Sequence, residues 1–276
     1  LSITASAQLD WSVEVTNSME TTFTGESDSQ MDGVAAYASG SSTIVYFADS
    51  QSGYDAVTRW DGTTLTTFAT EDELDPYDTG SPNASFADMD VDQSGTFYIL
   101  LSGTGYEEVI WRVPGDDFSN AVSMLTDPDR DEAAEIAVDE ANSRLIIAFN
   151  DYYGDVGPSF GEGVGWIALD ATDATVNELA SESDLQAVID AIPGSSQADI
   201  DPFDVCALSD GTVLVSHGFS SNAEENGSIL KIAPGGNVSL LISGSDLISL
   251  AGGAPGAINI GNRHIDRLSA DRTLAR

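Results

Sequence analysis

One phrase recurs along this chain and limits what it can fold into. It is a short apolar strand, a tight polar turn, then a second apolar strand. It reads Val34-Ala-Ala-Tyr-Ala, a turn over residues 39–42, then Thr43-Ile-Val-Tyr-Phe. It returns as Asp88-Met-Asp-Val-Asp, Gln-Ser-Gly, Thr96-Phe-Tyr-Ile-Leu, and again as Glu135-Ile-Ala-Val-Asp followed by Arg144-Leu-Ile-Ile-Ala. The fourth copy is Asp204-Val-Cys-Ala-Leu, Ser-Asp-Gly, Thr212-Val-Leu-Val-Ser, and a fifth begins at Asp266-Arg-Leu-Ser-Ala. Each full copy continues into a third strand: Val57-Thr-Arg-Trp-Asp-Gly, Ile110-Trp-Arg-Val-Pro-Gly, Trp166-Ile-Ala-Leu-Asp and Ile229-Leu-Lys-Ile-Ala-Pro-Gly. A fourth strand follows at 64–69, 121–126, 175–179 and 237–242. Quartets of short strands separated by Gly, Asp and Pro turns are the pattern of propeller blades. The expected fold is therefore all-β: a β-propeller of four-stranded blades, with four complete repeats and a composite or incomplete blade from the two termini. Short helices are expected within loops at 183–192 and 245–250.

The aspartate-rich inner phrases, Asp88-Met-Asp-Val-Asp-Gln-Ser-Gly-Thr-Phe-Tyr and Glu135-Ile-Ala-Val-Asp, resemble the repeats of NHL-type and related six-bladed propellers. These families include calcium-dependent lactonases similar to regucalcin and paraoxonase. The resemblance covers residues 33–276 and is specific for the blade. The lactonase metal ligands find no secure counterparts here, so that activity is not implied.

The ends complement each other. Met19-Glu-Thr-Thr-Phe-Thr parallels Leu65-Thr-Thr-Phe-Ala, and Asp10-Trp-Ser-Val-Glu-Val before it alternates like a strand. The N-terminus thus supplies strands three and four of a blade whose strands one and two come from the C-terminus. Joined within one molecule they close the ring and remove open edges. Joined between molecules they give a homo-oligomer or a head-to-tail filament by strand addition. A third option is a fragment of a six- or seven-bladed protein. Residues 1–7 form an alternating apolar extension suited to a donor strand, and 8–276 the propeller domain.

Composition narrows the chemistry. Forty-six Asp and Glu against nine Lys and Arg leave a formal net charge of −37 over 276 residues. Such a field repels nucleic acid and anionic membranes and attracts cations. No apolar run is long enough to span a membrane as a helix. The single Cys206 lies in an apolar run, so it reads as core. The chain begins at Leu1, and Ala5-Ser6-Ala7 resembles a signal-cleavage site. Glycosylation tripeptides start at Asn83, Asn226 and Asn237. A secreted, extracellular protein is expected.

Four copies carry a carboxylate at the start of the innermost strand: Asp88, Glu135, Asp204 and Asp266. The first copy has Ala35 instead. Carboxylates brought together near a channel cannot all stay ionised without a cation, and calcium takes six to eight oxygens. The alternative is that these side chains bond backbone amides between blades. Further acidic candidates lie in interblade loops, at Asp127, Asp129 and Asp131 and at Asp199 and Asp201. Neither Asp127-Asp129-Asp131 nor Asp88-Asp90-Asp92 completes a calcium-loop motif, and the second set is better explained by a strand with all three on one face. His217 and His264 fall toward the ligand face; each reads either as an ordinary polar loop histidine, the favoured role, or as a base beside a calcium-bound water. Tyr106, Tyr152, Tyr153 and Trp166 are candidate sugar-stacking platforms, with a packing role favoured for Trp111 and Trp166.

The function expected from these residues is a non-enzymatic extracellular binding or structural module, calcium-stabilised and able to self-assemble, with a carbohydrate or protein ligand. The alternative is a calcium-dependent lactonase or esterase. No serine-hydrolase elbow, phosphate loop or zinc spacing is present.

Overall fold

The computed structural model describes residues 31–39, 42–51, 54–74, 85–102, 108–127, 133–150, 161–172, 174–192, 200–218 and 227–246. Among these residues, sixteen strands fall into four antiparallel sheets, each built from four strands in chain order. The first blade is β1 (Met31–Ser39), β2 (Ser42–Gln51), β3 (Tyr54–Trp60) and β4 (Leu65–Ala69). The second is β5 (Ser85–Val91), β6 (Phe97–Ser102), β7 (Glu108–Val113) and β8 (Val122–Asp127). The third is β9 (Ala133–Asp139), β10 (Arg144–Phe149), β11 (Val164–Ala168) and β12 (Asn177–Ala180). The fourth is β13 (Asp201–Ala207), β14 (Val213–Gly218), β15 (Ser228–Ile232) and β16 (Val238–Ser243). The innermost strands touch in series, β1 with β5, β5 with β9 and β9 with β13. Four blades therefore fan about a common inner edge, which is propeller architecture.

The second strands explain why the sequence reads as it does. Phe97, Ile99 and Leu101 of β6 pack on the first blade, while Tyr98 and Leu100 pack on the third. All six residues of β10 are buried. A strand covered on both faces carries an unbroken apolar run rather than an alternating one. Each blade interface has its own filling. Tyr46, Phe68, Phe97 and Phe118 form an aromatic group between the first two blades. Aliphatic side chains fill the seam between the third and fourth.

Each blade also carries two bulges. The inner strand has an extra residue between Met31 and Gly33, Phe86 and Asp88, Ala133 and Glu135, and Pro202 and Asp204. The outer strand has one at Phe68, Met124, Leu179 and Leu241. A bulge adds local twist and re-aims the side chains beside it.

Among the described residues, two complete short α-helices occupy loops, and a further helical stretch begins at 244–246. α1 (Glu71–Leu74) lies in the acidic stretch after β4, outside the loop helices expected at 183–192 and 245–250. Its turn is tied by the Thr70 N–H and hydroxyl, which both donate to the Glu73 carboxylate at 2.9 Å. α2 (Glu182–Asp190) matches the helix expected there. Ser181 and Asp184 form a reciprocal capping box at its start, and Leu185 and Ile189 are its buried face. The second expected helix, at 245–250, is helical where it is described, at residues 245 and 246, and its remainder lies outside the described residues. No described helix is long and apolar enough to cross a membrane.

Candidate functional site

The inner bulge sets the site. The residue just past it is Asp88 in β5, Glu135 in β9 and Asp204 in β13. In β1 it is Gly33, two positions before the Ala35 that the sequence repeat suggested, so the first blade contributes no carboxylate there. Asp204 is only 7% exposed, and Asp88 and Glu135 are half-buried.

These three side chains act on one another. Glu135 and Asp88 share a hydrogen bond. Two carboxyls can do so only if one is protonated, and Glu135 is that one. Burial, then the negative charge of Asp88, raises Glu135 from 4.5 to about 12. Asp88 is raised from 3.8 to about 7, first by burial and also by the charge of Asp204; hydrogen bonds from Glu135 and the Ile136 N–H oppose that rise. The pair titrates as a unit, in the manner of like charges that cannot both ionise. Directly opposite Asp204 in register stands Ser216, whose buried hydroxyl finds no hydrogen-bond partner among the described residues.

Asp88 has a second task. Its Oδ2 accepts the Ile136 N–H of the next blade at 2.8 Å, and Asp90 Oδ2 accepts the Val138 N–H at 2.8 Å. Asp88 and Asp90 thus lie on one face of β5, as strand period requires, and fasten the second blade to the third. Asp92 falls beyond the strand and organises the turn, accepting from the Ser94 and Thr96 N–H groups at 2.8 Å. Glu140 of the third blade accepts the Gln93 N–H of the second, and Arg112 donates to the Leu169 carbonyl at 2.9 Å. Both readings of the inner acids, mutual clustering and interblade bonding, coexist at Asp88.

Asp127 closes β8 and Asp201 opens β13. Asp129, Asp131, Asp199, Asp266 and His264 lie outside the described residues, as do Tyr106, Tyr152 and Tyr153. His217 lies near the end of β14 and is fully buried, opposite Pro202 and Ser228. Trp111 packs on Phe118 and donates its indole N–H to the Leu74 carbonyl at 3.0 Å. Trp166 lies under the guanidinium of Arg144. Cys206 is buried.

Sequence reading missed one polar pair. Asp139, fully buried, accepts from Arg144 Nε at 2.7 Å and caps the β9–β10 turn through the Asn142 N–H. Its signal was visible: Asp139 ends an inner phrase, as Asp92 does.

Among the described residues, no three His, Cys, Asp or Glu side chains stand at metal-ligand spacing. The inner carboxyls suit a hard cation in chemistry. In their proton-bridged arrangement they do not present a formed coordination shell.

No family model matches the sequence, and no curated protein matches it. Among solved structures, a luciferin-regenerating enzyme aligns over 79% of this chain and 63% of its own, at 13% identity and a TM-score of 0.48. A gluconolactonase from Xanthomonas campestris aligns over 72% and 58%, at 15% identity and 0.45. A calcium-binding regucalcin from Agrobacterium tumefaciens aligns over 73% and 56%, at 13% identity and 0.45. The chain spans less than two thirds of the length of each of these proteins.

Proposed function

We propose that this chain is a non-enzymatic, extracellular binding or structural propeller whose ligand site is the inner-strand carboxyl cluster, with calcium as the cation it takes. The observation carrying this reading is that Asp88, Glu135 and Asp204, from three successive blades, are close enough for burial and mutual charge to keep a proton between them. A site that binds a proton so far above the ordinary carboxylate range concentrates negative potential, and a hard cation competes for the same oxygens. Asp88, Glu135 and Asp204 would supply the oxygens once Glu135 gives up its proton and the three side chains draw together from their present spacing. The extracellular placement is supported by Asn237-Val-Ser, whose asparagine is exposed at the β15–β16 turn.

The hydrolase alternative needs a base within reach of solvent. His217 is fully buried, so among the described residues it does not supply one, and the binding reading is preferred.

Thermal melting in millimolar calcium and in chelator tests the proposal, because a ligand bound only by the folded chain raises Tm by mass action. The expected outcome is a higher Tm in calcium with proton release on titration, both lost in Glu135→Gln combined with Asp204→Asn. Superimposable melts in calcium and chelator would remove calcium from the reading.

A further inference from the structure

The fourth blade departs from the other three at one buried position. In every blade the residue just past the inner bulge is paired in register with a residue of the second strand: Gly33 with Ala48, Asp88 with Leu100, Glu135 with Ala148 and Asp204 with Ser216. Ala48, Leu100 and Ala148 are fully buried and apolar. Ser216 is 1% exposed, so the fourth blade buries a hydroxyl where its counterparts bury hydrocarbon.

That hydroxyl finds no hydrogen-bond partner among the described residues. Burying one without a partner costs free energy that an alanine avoids. Its neighbours show what it faces. Directly opposed residues of an antiparallel pair share a face of the sheet, with Cβ atoms about 4.5–5.5 Å apart. Ser216 therefore stands between Asp204 of β13 and Ile229 of β15, on the face that also carries Cys206 and Leu214. Ile229 has no polar side chain, so within this row the hydroxyl's polar neighbour is Asp204. The charge of Asp204 in turn reaches both Asp88 and Glu135. A buried, unpartnered hydroxyl thus flanks the inner carboxyl cluster on its fourth-blade side.

We propose that Ser216 supplies a neutral oxygen to the cation taken by Asp88, Glu135 and Asp204. This rests on the calcium reading of that cluster and adds to it a residue from the second strand of a blade. Calcium takes about six to eight hard oxygens. A further carboxylate would add to the like-charge repulsion that already holds a proton in the cluster. A serine hydroxyl brings acceptor lone pairs without charge, and its O–H can donate to a carboxylate oxygen at the same time. Because Ser216 is carried by β14 and not by a loop, little ordering is needed to present it.

Calorimetric titration of the full-length chain with calcium chloride, paired with thermal melts in chelator, tests this. Ser216→Ala is expected to weaken calcium binding about tenfold. In chelator it is expected to melt at or above the parent temperature, because an unpartnered buried hydroxyl has been removed. Ser228→Ala is the control. Ser228 also buries a hydroxyl without a partner, but it stands opposite His217 and not opposite an inner carboxylate, so this variant is expected to bind calcium as the parent does. Parental affinity in Ser216→Ala overturns the inference and leaves the carboxyl cluster as the calcium site. A chelator Tm below that of the parent also overturns it, since the hydroxyl would then stabilise the metal-free fold. An equal loss of affinity in Ser228→Ala does the same, by making the effect general to the polar core of this blade. A parent chain that binds no calcium removes the reading beneath the inference, and the inference with it.

Discussion

At the scale of single residues, the inner carboxyls couple folding to pH in the reverse of the usual sense. Both Asp88 and Glu135 hold protons more tightly in the folded chain than in the unfolded one. The folded state therefore binds more protons from the ordinary carboxylate range upward, and stability falls as pH rises. Asp88 contributes to that fall up to about pH 7, and Glu135 continues it beyond. Glu135→Gln keeps a donor for Asp88 and removes the titrating group. The variant is expected to be more stable than the parent at pH 8 by roughly 1–3 kcal/mol, to match it near pH 4, and to show a flatter profile between. Urea melts across pH 4–8 measure this in chelator, so that no cation replaces the proton. Asp90 has a simpler role. Asp90→Ala leaves the buried Val138 N–H without its 2.8 Å partner and is expected to cost about 1–3 kcal/mol in the same melts.

At the scale of elements, the turns decide how blades meet. Gly236 has φ +88 and faces the Leu179 carbonyl at the bulge of the preceding blade. Gly236→Ala combines left-handed backbone strain with a contact against a backbone oxygen that has little room to move. It is expected to destabilise by about 2 kcal/mol or more, read from the denaturation midpoint, whereas Gly62→Ala, also at positive φ but in open space, registers the backbone part alone. Asp139 and Arg144 staple the β9–β10 hairpin as a buried pair. Removing one partner strands the other charge, so Asp139→Ala is expected to cost about 3–5 kcal/mol. A double variant replacing both with apolar residues should recover much of that loss. These elements were largely legible beforehand. Strand positions follow from apolar runs and turn residues, and α2 from its capping box. α1 escaped because a four-residue acidic helix has no periodic face to read.

For the whole molecule, charge is the dominant field. A formal −37 over 276 residues opposes compaction through self-repulsion. Raising ionic strength from about 0.01 M to 1 M shortens the screening length from roughly 30 Å to 3 Å. Tm is therefore expected to rise steadily over that range in sodium chloride. Indifference to salt would show that local ion pairing already neutralises the surface. The interfaces within the fan answer differently to this field. Among the described residues, the seam of the first two blades is filled by an apolar and aromatic cluster, while the second and third blades are joined by Asp88, Asp90, Glu140 and Arg112.

The order of strands along this chain was decided locally. Period, apolar runs and turn chemistry are properties of neighbouring residues, so the four quartets could be read from the letters alone. Which carboxyls meet was not local. Asp88, Glu135 and Asp204 are far apart in sequence and come together only because a bulge in each inner strand re-aims one side chain. The same holds for Leu241, which is exposed at the outer bulge of the fourth blade where Phe68, Met124 and Leu179 are buried at the equivalent bulges. Contacts between blades depend on register and on how the sheets fan, and those are set by packing across the whole molecule.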